Sequence, residues 1–204
     1  DPTNPGLPAN QRLTIYSNAQ ASAGWVAVGG NPGGYLRLTD AVNSARATVI
    51  FPDFEQGFVV KAFHFEVDCR IGGGSATPAD GFSINFARSN DDVLDDGEGF
   101  SSSPGGEANL PEEGTKTGLA IGFDVYDSGS GDVVGFSVKL DNNTLVQVPA
   151  ETRNGTVDDP TSLQTGPLDG NGTANLGWAR FAVDLREDGT LDVVWKGVKV
   201  VDNL

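Results

Sequence analysis

The feature that most constrains this chain is its two-residue alternation. In Gly81–Ala87, Phe82, Ile84 and Phe86 fall on one side, with Ser83, Asn85 and Ala87 on the other. In Gly118–Asp127, Leu119, Ile121, Phe123 and Val125 alternate with Ala120, Gly122, Asp124 and Tyr126. A period of two is the signature of a half-buried β-strand, because successive side chains point to opposite faces. Strand-like runs recur as RLTIYS, GWVAVGG, YLRLT, ATVIFP, GFVVKAFHFEVDCRI, GFSINFA, TGLAIGFDVYD, GFSVKL, TLVQVP, WARFAVDL, TLDVVW and KGVKVV. Between them stand turn clusters such as NPGG, GGGS, DSGSGD, LDNN and DGNG, and EDGT at 187–190 reads as a hairpin turn. No segment carries a helical period over 11 or more residues. Twelve short strands without helices predict an all-β sandwich, jelly roll or barrel.

The 204 residues are enough for one large β-domain with its own core. No repeat and no internal boundary stands out, so a single domain over 1–204 is expected. The formal charge of −15 excludes nucleic acid as a favoured partner, since its phosphates would be repelled. It equally disfavours anionic lipid surfaces, and no apolar run approaches the length of a membrane span. A neutral ligand, a cation, or a secreted or surface setting suits such a chain. Cys69 is the only cysteine, so no intrachain disulfide framework is possible. The ends, DPTNPGLPANQ and VVDNL, lead to the expectation of a mature or excised domain of a larger extracellular protein.

Strand parity sorts the candidate residues. Phe63, Phe65, Val67 and Cys69 share one face, which makes Cys69 a small core residue. His64, Glu66, Asp68 and Arg70 share the other, where charges on a strand pair with neighbours. Asp124 projects away from the core, over a surface cleared by Ala120 and Gly122. Asp80 sits at the mouth of a strand, between Ala79 and Gly81, where an aspartate either caps its own turn or points into a binding site. Asp124, Asp127 and Asp132 offer hard oxygen ligands at calcium-like spacing, but Asp and Gly are also what a solvated hairpin loop uses. The acidic run at 89–99, with Asp91, Asp92, Asp95, Asp96 and Glu98, lacks the frame of an EF-hand loop and reads as calcium-binding or simply solvated. Two polar stretches, 88–117 and 149–177, are long enough to expect functional or mobile loops.

ADGFSINFA, followed by a long Gly/Ser-rich loop and then TGLAIGFDVYDSGSGDVVGFSVKL, resembles the concanavalin A-like lectin/glucanase superfamily. The likeness is nearest to bacterial extracellular domains similar to the L-type, or legume-type, lectins, and it is sharpest over residues 58–140. It implies a two-sheet antiparallel β-sandwich of jelly-roll type with one concave sheet. In those lectins the aspartate of Ala-Asp-Gly accepts hydrogen bonds from sugar hydroxyls and often follows a cis peptide; Asp80 matches it. The aspartate shared by the two metals falls on Asp124, and the calcium-binding carbonyl on Tyr126. The loop ligands fall near Ser128 and Asp132, and the metal histidine near Val133 or Val134. The glutamate of the transition-metal site falls on Gly122, so that site is expected to be missing and any calcium site reduced to Asp124, Tyr126, Asp127 and Asp132.

The β-glucanases of the superfamily carry a third acid after the pair matched by Glu66 and Asp68, where this chain has Arg70 or Ile71. Retaining enzymes need two carboxylates roughly 5–5.5 Å apart, so no catalytic residue is assigned and an enzyme is not expected. The resemblance therefore implies a non-catalytic module for a glycan or polysaccharide, in a secreted or cell-surface protein alongside other domains. Its ligand would be held by Asp80, Asn85, the backbone of Gly105 and Gly106, and Tyr126 as an aromatic platform, with calcium near Asp124. The alternative is a structural or adhesive spacer with no small ligand.

Overall fold

The computed structural model describes residues 1–8, 11–18, 20–53, 57–72, 78–88, 91, 112, 114–129, 131–152, 159–166 and 177–204. It is all-β, with twelve strands and no helix among the described residues. These are β1 (Thr14–Ser17), β2 (Gly24–Gly30), β3 (Gly33–Arg37), β4 (Ala47–Ile50), β5 (Phe63–Cys69) and β6 (Gly81–Phe86). They continue with β7 (Leu119–Asp124), β8 (Gly135–Leu140), β9 (Asn143–Pro149), β10 (Ala179–Leu185), β11 (Leu191–Trp195) and β12 (Val198–Val201). Each alternating run of the sequence supplies one strand. The exception in extent is GFVVKAFHFEVDCRI, which begins pairing only at Phe63; Phe58, Val59 and Val60 are exposed and lie outside any strand. β-branched and aromatic residues favour a strand only where a neighbour packs against them, and none of the described strands takes up this segment.

The described residues divide into two compact units, Asp1–Val60 and Lys61–Asp91 with Glu112–Leu204. The first holds two small antiparallel ladders, β1 with β4 and β2 with β3. Asn18 ties its loops together, donating to Ser44 O at 2.6 Å and accepting from the Arg46 N–H at 3.1 Å.

The second unit is a β-sandwich of two four-stranded antiparallel sheets, ordered β12-β11-β10-β5 and β6-β7-β8-β9. Ile121, Phe123, Phe136 and Val138 from one sheet meet Phe181, Val183, Val193 and Trp195 from the other in a closed core. Phe123 is its hub: its ring lies 4.3 Å from Phe82, 4.8 Å from Phe181, 5.1 Å from Phe136 and 5.7 Å from Trp195. Such aromatic pairs add about 0.5–1.5 kcal/mol each beyond the burial of their area. The buried Trp195 indole donates to Ser162 O at 2.9 Å, which satisfies its one polar atom. The core parity matches the sequence: Ile121, Phe123 and Val125 are buried, and Leu119, Phe63, Phe65, Val67 and Cys69 pack against them. Burial pushes the Cys69 thiol up to about 12, so it behaves as a core hydrophobe.

Tight hairpins set the registers. Asp141 and Asn142 both adopt positive φ, 46° and 63°, between β8 and β9, which fits a two-residue loop matched to strand twist. At the β10–β11 hairpin, Asp188 accepts from the Thr190 N–H at 3.0 Å and its hydroxyl at 2.7 Å, the turn chemistry that EDGT announces.

Candidate functional site

The β6–β7 register builds the site. Gly81 pairs with Asp124 at the end of the ladder, so the residues just beyond it, Asp80 and Val125, meet at the rim. There the Asp80 carbonyl accepts from the Val125 N–H at 2.9 Å, and the Ala79–Asp80 peptide is cis. Asp80 is exposed, and its carboxylate makes no hydrogen bond or ion pair among the described residues. A turn-capping aspartate would accept a backbone N–H two residues on; Asp80 does not. Tyr126, one residue past Val125, is 40% exposed.

Asp124 is half-buried at the same rim. Its Oδ1 accepts from the Tyr126 N–H at 3.0 Å, and its carboxyl hydrogen-bonds the carboxyl of Asp132. Loss of hydration on burial pushes Asp124 up to about 7; the Tyr126 N–H opposes this, and the negative charges of Asp132 and Glu112 add to it. Asp132 moves the other way, below the ordinary carboxylate range, because it accepts from Ser128 N–H at 2.8 Å and Val133 N–H at 3.0 Å. The pair therefore shares one proton, carried by Asp124, with Asp132 ionised. Asp127 accepts from the Gly129 N–H at 2.8 Å. Two adjacent carboxylates suit a hard cation, but calcium takes six to eight oxygens. No cluster of three His, Cys, Asp or Glu able to hold a metal occurs among the described residues.

The outer face of this sheet is not the cleared surface that Ala120 and Gly122 suggest. Glu112 and the segment Gly114–Gly118 lie over the β6–β7 part of it as a strap. Ala120 is 2% exposed and Thr115 5%. The place a side chain at position 122 would take is filled by the Glu112 carbonyl and the Ser137 hydroxyl, which would lie 2.8 and 2.6 Å from a Cβ. Gly114, at φ 76°, approaches so closely that a Cβ would sit 2.7 Å from Ala120 and 2.8 Å from the Asn85 amide oxygen. That oxygen accepts from the Thr115 N–H at 3.0 Å and its hydroxyl at 3.3 Å, while the Asn85 amide nitrogen donates to Ser83 at 2.8 Å. Asn85 is thus engaged with the strap.

Asp91 also departs from the sequence expectation of a solvated or calcium-binding acid. It is fully buried, and its Oδ2 accepts from both the N–H and the hydroxyl of Thr117 at 2.6 Å. A buried carboxylate is tolerated when hydrogen bonds replace its water, and Thr117 supplies them. Nothing in the acidic run marks Asp91 as different from its neighbours; the signal is a threonine 26 residues away. Asp92, Asp95, Asp96, Glu98, Gly105 and Gly106 lie outside the described residues.

On the other sheet, Glu66 and Asp68 face Arg180, which binds both, at 2.5 Å for the Nε to Asp68 contact. His64 Nδ1 lies 2.6 Å from Asp184, and this contact raises the histidine above its ordinary value. Arg70 stands over Trp178 at 5.4 Å. These are the cross-strand pairings expected of a polar strand face.

No family model matches this sequence, and no curated protein matches it.

Proposed function

We propose that the chain is a non-catalytic, lectin-like carbohydrate-binding module of a secreted or cell-surface protein, its sandwich a jelly roll of the concanavalin A-like kind. The observation that carries this is Asp80: an exposed carboxylate at a strand mouth, without a partner among the described residues, beside Asp124 and the exposed Tyr126. A carboxylate free to accept two hydroxyl hydrogen bonds next to an aromatic face is what a pyranose needs. The strongly acidic surface suits a neutral glycan or polysaccharide rather than nucleic acid or membrane, and other domains of a parent protein would present the module. Glu66 and Asp68 are both bound to Arg180, which supports binding over glycoside cleavage. Calcium would be held by Asp124 and Asp132 in place of their shared proton, where it would neutralise the loop beside Asp80.

The backbone packed over Ala120 and Gly122 on the outer side of β7 favours a second reading, a structural or adhesive spacer without a small ligand. A glycan array probed with and without calcium separates them. Binding that Asp80→Ala abolishes supports the module; no binding in either condition leaves the spacer. A melting temperature indifferent to chelator removes calcium from the account.

A further inference from the structure

Carbonyl oxygens that converge on one point repel one another unless a cation stands among them. Residues 159–164 turn three of theirs to such a point. The carbonyls of Asp159, Ser162 and Gln164 lie 2.9, 2.9 and 2.7 Å from the Lys196 Nζ. An ammonium has three N–H donors, and three acceptors meet them here. The Trp195 ring, 5.3 Å away, adds its face. The loop has support besides the lysine. The Glu151 N–H donates to Thr161 O at 2.7 Å, the Leu163 N–H to Glu151 O at 2.9 Å, and the Gln164 N–H to Thr152 O at 3.2 Å. Ser162 and Leu163 are fully buried.

The lysine stands where a hairpin turn does not favour one. Trp195 pairs with Val198 across the two-residue loop Lys196–Gly197, in which both φ angles are positive, 49° and 78°. Such a loop prefers Asn, Asp or Gly, and the β8–β9 hairpin meets the same demand with Asp141 and Asn142. The left-handed region offers a lysine backbone no advantage. What a lysine brings is an ammonium on a stem long enough to reach the three carbonyls. A ring of backbone carbonyls is also how potassium is held in place of its water.

We propose that residues 159–164 form a monovalent-cation site whose resident cation is the Lys196 ammonium, so that vacating the position opens it to potassium or a primary alkylammonium. A cation carried on the chain is not lost to dilution or to chelators, and it keeps this loop closed over Trp195 in any salt.

Lys196→Asn isolates the ammonium, because asparagine suits the turn better than lysine. It is expected to melt lower than the parent by roughly 5 °C or more; an equal or higher melting temperature overturns the role of the ammonium. Lys196→Ala removes the equivalent of a propylammonium ion. Its melting is followed in potassium chloride, propylammonium chloride and tetramethylammonium chloride at one ionic strength, the last supplying a bulky cation without N–H donors. Either of the first two is expected to raise its melting temperature by about 3 °C or more over the third, and to leave the parent, whose site is filled, unmoved. Folding only in the first two salts is the same result in stronger form. Equal melting in all three salts, an equal gain in the parent, or a variant unfolded in all three overturns the cation site.

Discussion

Replacing Asp80 with alanine separates its two possible duties, because they act on different observables. Its carboxylate makes no hydrogen bond or ion pair among the described residues, and the bond that ties this position to β7 runs through its backbone carbonyl, 2.9 Å from the Val125 N–H. Truncation at an exposed position without partners changes stability by about 0.5 kcal/mol or less. For a domain of this size that is a shift of roughly 2 °C or less in melting temperature. Binding should respond very differently. Two hydroxyl hydrogen bonds to a carboxylate, at about 1.5 kcal/mol or more apiece, amount to about 3 kcal/mol, or roughly a hundredfold in affinity. Asp80→Asn keeps an acceptor but loses the charge and should fall between. Calorimetric melting and titration with the array's best ligand measure both quantities on the same preparations. If Asp80→Ala melts several degrees lower and still binds the ligand as well as the parent, the carboxylate serves the turn and the proposed site is wrong.

The shared proton of Asp124 and Asp132 gives a pH dependence with a definite sign. Asp124 is raised to about 7, so between about pH 4 and pH 7 the folded chain keeps a proton that the unfolded chain has released. Its contribution to stability is complete below that window and is lost as pH rises through 7. Asp132 is lowered; its contribution is present above the ordinary carboxylate range and is lost as pH falls through its folded value. Asp124→Asn is expected to flatten the melting profile between pH 5 and 8, and an unaltered slope would show that no proton is shared. A third expectation concerns Lys196, whose ammonium donates to the carbonyls of Asp159, Ser162 and Gln164 at 2.9, 2.9 and 2.7 Å. Lys196→Met strips that loop of its common donor and should cost about 2–4 kcal/mol, seen as a melting point lower by roughly 5–15 °C; a shift under about 2 °C would contradict the clamp.

The strands were legible because burial imposes a period of two, and Leu119, Ile121, Phe123 and Val125 could face the core in only one register. The strap was not. A row of small residues on the outer face, Ala120 and Gly122, has two physical causes: an open surface for a ligand, or another piece of backbone packed close. Composition does not distinguish them, since Gly-Thr-Lys-Thr-Gly at 114–118 is polar and carries no period. Phe58–Val60 misled in the opposite direction, because β-propensity expresses itself only against a partner strand.

Asp80 and Asp91 show where local sequence stops being informative. Both are aspartates at the edge of loops, and turn chemistry is a sufficient explanation for either from sequence alone. What divides them is the supply of donors. Thr117 brings an N–H and a hydroxyl to Asp91, which replaces its hydration and permits full burial. At Asp80 the Val125 N–H is taken by the residue's own carbonyl, and no described residue donates to the exposed carboxylate, which stays available. The same side chain is a latch where the fold meets its hydrogen-bonding capacity and a candidate ligand contact where the fold leaves that capacity open. Asp91 holds the strap against Ala120, while Asp80 stays exposed, without a partner among the described residues.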